Sequence, residues 1–156
     1  MSLLRIGLVL LMLWNDGKRP EVSNNDSRFR VATYFYWRLK EARAESGPLL
    51  ARKIREIVGD TPVICTGDFN SAPGSPQVTA VKEVLNDARD ITQKPAEGVE
   101  ETAFSGGVFQ GAPKYRIDFI FLSRHFKVGD YKVLSDMYNG DRYPSDHLPV
   151  TSTIVF

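Results

Sequence analysis

The chain has 156 residues, 42% of them hydrophobic and 25% charged, with a formal net charge of +1. This length falls in the usual range of one domain, about 100–200 residues, and the composition is that of a soluble globular α/β chain without repeats or low-complexity tracts. A near-neutral balance excludes broad electrostatic capture of nucleic acid, which needs a marked basic excess, and a single cysteine excludes an internal disulfide.

The opening "MSLLRIGLVLLMLWNDGKRP" has one Arg, the apolar run Ile6–Trp14 and then a polar break, the layout of a secretory signal. No small-x-small cleavage site follows, and the run is shorter than the roughly 20 apolar residues of a spanning helix. Export to the periplasm or beyond is expected if the run is a signal; a cytoplasmic chain with an extra core strand or helix is expected if it is retained. Residues 1–27 therefore read as an apolar segment and polar linker, and 28–156 as the folded domain.

"EARAESGPLLARKIREI" places Leu50, Ile54, Ile57 and Val58 at helical spacing, which predicts an amphipathic helix on a sheet, ended by Gly59-Asp60. Val63, Ile64 and Cys65 form a short apolar run that fits a strand buried on both faces, with Cys65 a structural thiol. The chain then stops abruptly: Gly67 permits a tight backbone, Asp68 and Asn70 lie two residues apart on one side, and Pro73-Gly74 closes the turn. Ser75 as N-cap with Pro76 in the first turn predicts a second helix burying Val78, Val81, Leu85 and Ala88. From Asp90 to Tyr115 a Gly-rich connection carries Thr102, Phe104 and Phe109.

"RIDFIFLS", Arg116–Ser123, is a strong strand signal that puts the Asp118 carboxylate on a face meant for burial. His125 follows in a polar turn and is expected at the surface. "YPSDHLPV", Tyr143–Val150, displays Asp146 and His147 between two prolines. Carboxylates at strand ends cost free energy unless they meet a cation or a donor. Magnesium or manganese, bound through Asp68 and Asp146, is one shared explanation. His147 beside such a site is suited to holding a phosphoryl oxygen or exchanging a proton, with Asp118 on its other ring nitrogen fixing the tautomer.

The segments "GDFN", "RIDFIF" and "SDH", in that order, resemble the signatures of the endonuclease/exonuclease/phosphatase family. The resemblance runs from about Glu41 to Phe156 and implies a two-layer β-sandwich flanked by helices, here incomplete. It implies Asp68 activating a water and Asn70 orienting it, Asp118 supporting His147, and Asp146 helping to bind Mg2+ or Mn2+. The activity implied is hydrolysis of a phosphoester by a water nucleophile. DNA, RNA, phosphoinositides and sphingomyelin are all substrates across the family, so the ligand is expected to be a nucleic acid or a phospholipid or inositol phosphate headgroup.

Upstream, two registers compete. In one, Ala32–Trp37 stands where the family carries an Asn-Thr-His-x-Asp-His strand, and Tyr34 takes the place of a phosphate-contacting His. In the other, "RFRVATYF" is the opening strand, Phe35 replaces an Asn of the metal site, and the intervening half is missing before the "EAR" helix. In neither does a Glu fill a metal-ligand motif, so a catalytically incomplete scaffold or binding domain is the alternative to an active hydrolase. Such a partial sandwich is expected to leave Val63, Ile117 and Phe119 on a bare face and to self-associate.

Overall fold

The computed structural model describes residues 30–33, 40–107 and 109–156. The apolar start, the linker and Tyr34 lie outside the described residues. The first strand, β1 (Arg30–Thr33), runs parallel to β2 (Val63–Asp68) with Val31 opposite Ile64. Between them comes α1 (Lys40–Val58). β2 pairs antiparallel with β4 (Asp118–Leu122), Asp68 directly opposite Asp118, and β3 (Asn86–Asp87) lies on the far side of β4. The sheet order is β1-β2-β4-β3. Among the described residues a second sheet holds β5 (Lys127–Val133) and β6 (Val150–Val155), paired antiparallel. The result is a mixed α/β fold with two small sheets flanked by helices, as an incomplete sandwich requires.

The central strands are buried along their whole length, so one face needs one core and the other face a second. Alternation sorts the side chains. Cys65, Phe119 and Phe121 point toward α1 and the second helix, packing with Leu50, Ile54, Val78, Val81 and Leu85. Ile64, Ile120 and Leu122 point the other way, onto Val128, Tyr131, Val133, Leu148 and Val150 of the second sheet. In β5 the inward residues Val128 and Tyr131 are three apart, which strict alternation forbids; a register shift between Val128 and Asp130, at Gly129, restores the facing.

Two expectations are corrected by this packing. Val63 and Phe119, predicted on a bare face, are each only 2% exposed because the two helices cover them. Ile117 is half-buried. The helix predicted from Ser75 is broken: α2 (Pro76–Lys82) is capped by the Ser75 side chain, which accepts from the Val78 amide, but the chain leaves the helix before Leu85. It pairs through β3 and restarts as α3 (Ala88–Ile91), with Asp87 as its N-cap. Val78, Val81, Leu85 and Ala88 are all buried as expected, by two short helices and a bridge instead of one helix.

Candidate active site

At the end of β2 the chain must turn while keeping Phe69 inside. Phe69 is fully buried, its ring edge-on to Phe119 at 5.4 Å and to Phe121 at 5.1 Å, and its amide donates to the Ile117 carbonyl at 2.8 Å. That anchor throws Asp68 and Asn70 to the rim. Asn70 takes a left-handed backbone (φ 46), which Asn tolerates better than most residues. Its amide donates to Asp68 Oδ1 at 2.7 Å and its carboxamide to Asp68 Oδ2 at 3.0 Å. Carboxylate and carboxamide are thus one bonded unit.

Across the ladder, Asp118 is 1% exposed and accepts two bonds on Oδ2: from Thr102 Oγ1 at 2.6 Å and from His147 Nδ1 at 2.8 Å. Thr102, itself fully buried, accepts from the amides of Ile117 and Asp118, so one hydroxyl fixes both the strand entry and its carboxylate. With Nδ1 donating to a carboxylate, His147 keeps its Nε2 for a ligand or a proton. The loop bearing it is zipped to the Gly-rich connection: Leu148 N bonds Thr102 O at 2.7 Å, Phe104 N bonds Asp146 O at 2.9 Å, and His147 N donates to Ser145 Oγ at 3.1 Å. Tyr143 against Phe104 and buried Leu148 hold both ends.

The electrostatics follow from packing acids together. Burial, reinforced by the Asp118 charge opposite, pushes the Asp68 carboxyl up to about 6, against the pull of the Asn70 donors and His147. Burial disfavours a charged His147, but the Asp118 bond and the fields of Asp118, Asp68 and Asp146 outweigh it and raise the imidazole above its ordinary value. The structure therefore brings Asp68, Asn70, Asp118 and His147 to one rim, with half-buried Asp146 beside His147.

The magnesium or manganese expected from the resemblance is corrected: among the described residues no group of three or more His, Cys, Asp or Glu side chains is placed to hold a metal ion. The acids face inward partners instead. Asp68 is taken by Asn70, and the bonded oxygen of Asp118 by Thr102 and His147. The described residues do not fit the cation.

Thr102 and Phe69 are the site residues that spacing alone missed. Both act through contacts distant in sequence, and the only local sign was a Thr at the start of an aromatic, Gly-rich run. His125, expected at the surface, is half-buried in its turn, with Nδ1 3.0 Å from Ser123 Oγ. No helix among the described residues is long and apolar enough to cross a membrane.

Comparison with known proteins places the fold and the family. A mannosyl-6-phosphatase of Bacteroides thetaiotaomicron is 32% identical, with a TM-score of 0.68, over 80% of this chain and 49% of its own. An endonuclease/exonuclease/phosphatase of Bacteroides vulgatus is 28% identical, with a TM-score of 0.66, over 80% and 47%. A conserved protein of unknown function from Enterococcus faecalis shares the fold at 22% identity and a TM-score of 0.71, over 81% of this chain and 50% of its own. The chain thus spans about half the length of these solved structures. None of the curated proteins matches it. The family model described as the Endonuclease/Exonuclease/phosphatase family matches residues 9–147, most of the sequence, and the chain belongs to that family.

Proposed function

We propose that this chain is a catalytically incomplete member of its family, one that keeps the scaffold and the proton-handling His147–Asp118 pair but does not turn over phosphoesters by itself. The observation that carries this reading is the pairing pattern at the rim. Each acid of the expected metal site is engaged by an internal donor or stands apart, and no ligand cluster is formed among the described residues. What can meet a phosphoryl group is His147, as a charge-bearing donor, and Asn70 where its carboxamide leaves Asp68. Both are set among carboxylates that repel an anion, so binding is expected to be weak, about millimolar or poorer, worth roughly 4 kcal/mol.

Family membership supports a second reading: phosphoester hydrolysis by the chain itself. In that reading Asp68 would take a proton from the attacking water, Asn70 orient it, Asp118 fix the His147 tautomer, and His147 stabilise charge on the phosphoryl oxygens. The 32% identity to a mannosyl-6-phosphatase makes a 6-phosphorylated sugar the first substrate class to try. One experiment separates the readings. Purified chain is assayed against a sugar 6-phosphate and an aryl phosphodiester, beside His147→Ala. Rates equal to buffer for both proteins support the incomplete domain. Turnover that His147→Ala lowers by about 10²-fold or more, the usual loss of a charge-stabilising donor, establishes the hydrolase.

A further inference from the structure

The chain enters β4 through Arg116, a residue outside the rim. Arg116, two positions before Asp118, has a side chain only 6% exposed. Its Nη2 donates to both oxygens of Asp87, at 2.8 and 2.6 Å, and the Asp87 side chain is fully buried. The guanidinium lies 4.7 Å from the centre of the Phe119 ring. Asp87 is fixed in turn: it pairs in the sheet opposite Phe121 and caps α3 by accepting from Arg89 N.

The three residues Arg116–Asp118 touch both halves of the site. The Ile117 carbonyl accepts from Phe69, inside the Asp68–Asn70 turn; the amides of Ile117 and Asp118 reach Thr102; the Asp118 carboxylate reaches His147. We propose that Arg116 and Asp87 form a positioning pair that sets this segment, and through it the Asp118–His147 contact. The proposal concerns the geometry of that contact and stands apart from which chemistry the rim performs.

A stability role alone accounts poorly for the pair. Buried ion pairs are often no better than apolar residues of the same volume, and this one sits among unmet groups. Arg116 Nε and Asp118 Oδ1 are both buried without a hydrogen-bond partner among the described residues. An apolar pair in place of Arg116 and Asp87 would leave no guanidinium nitrogen unmet. What it would lack is direction: the guanidinium binds one carboxylate from one side, whereas apolar contacts permit sliding along the strand.

The test uses the whole chain and reads the ring nitrogens of His147 in long-range 1H–15N spectra, which report the tautomer and the Nδ1 partner. Asp118→Ala, which leaves no acceptor at this position, defines the spectrum of the lost contact. In the apolar double variant Arg116→Met/Asp87→Leu, the His147 shifts are expected to move most of the way to that reference while the variant stays cooperatively folded, its urea midpoint lowered by the lost α3 cap. In Arg116→Lys, which keeps the charge but reduces the donor set, the shifts are expected to move part of the way. Folded variants whose His147 shifts coincide with the parent's would overturn the proposal and leave the pair a structural staple. If the double variant does not fold, unchanged shifts in Arg116→Lys and Asp87→Asn overturn it equally. Removing the surface pair Lys82–Asp90 with Lys82→Ala is the control and is expected to leave His147 unmoved.

Discussion

At the scale of single residues, the rim is organised around carboxylates that the fold would rather keep protonated. Asp68 ionises near pH 6 in the folded chain and near 3.8 when unhindered. Between those values the folded state holds the extra proton, so stability falls as pH rises through that window, and the penalty is complete above it. Asp68→Asn removes the ionisable group while keeping an acceptor for Asn70. It is expected to raise stability by about 1–3 kcal/mol at pH 8, from about two units at 1.36 kcal/mol each, and to change it little at pH 4. Urea unfolding at the two pH values measures this, and a variant less stable than the parent at pH 8 would show that the Asn70 donors outweigh desolvation. His147 has the same sign for a different reason. Its folded value is raised by Asp118 and the neighbouring acids, so its contribution is whole below its ordinary value of about 6.5 and vanishes as pH rises through the raised one. Asp118→Ala deletes the bond and the charge and leaves burial, which opposes the imidazolium. The His147 titration followed by NMR is therefore expected to shift down, below its ordinary value, and an unchanged midpoint would mean that Asp68 and Asp146 supply the field.

At the scale of elements, the helices meet where a side chain would not fit. A Cβ on Gly47, buried in α1, would stand 2.4 Å from the Gln77 carbonyl of α2. Gly to Ala in a helix ordinarily gains up to about 1 kcal/mol. Here the clash is with backbone and reverses the sign, so Gly47→Ala is expected to cost about 1–3 kcal/mol by forcing the helices apart. Thermal or urea unfolding decides, and a stabilised variant would mean that α1 can slide on α2. The same elements show what local sequence could and could not convey. "GDFN", "RIDFIF" and "SDH" are legible because each is a short contiguous run resembling a family signature, although the Asp118–His147 contact they build joins segments distant in sequence. The apolar spacing Val78, Val81, Leu85, Ala88 correctly marked burial but not the break between α2 and α3. That break is set by Asp87, which serves a strand, a helix cap and Arg116 at once. Thr102 stands out in its Gly-rich run, but its role is hidden for a like reason: its partners include Ile117, Asp118 and the chain at Leu148, and no periodicity in its own neighbourhood encodes them. The bare face expected on β2 and β4 failed because counting strands ignores that two helices are enough to close it.

At the scale of the molecule, one pair of strands separates two cores and carries the rim between them. Phe69 belongs to the core under α1 and α2, while Leu148 and Tyr143 belong to the core shared with the second sheet. The 2.8 Å contact between Asp118 and His147 joins β4 to the loop before β6, so it bridges the two. Loss of either core should then be felt at the other, because β4 lends alternate residues to both and cannot keep half of its burial. Phe121 tests this: it faces one core only, stacked on Phe119 at 5.1 Å and edge-on to Phe69, with no solvent access. Phe121→Ala is expected to cost about 3–5 kcal/mol. Hydrogen exchange gives the decisive reading. If the cores are one cooperative unit, protection should fall by a similar factor in α1, in Val128–Val133, a stretch that Phe121 does not share a core with, and in the amide of His147. Loss confined to α1 and α2, with β5 and β6 as protected as in the parent, would show two independently folding layers and a rim whose halves can separate.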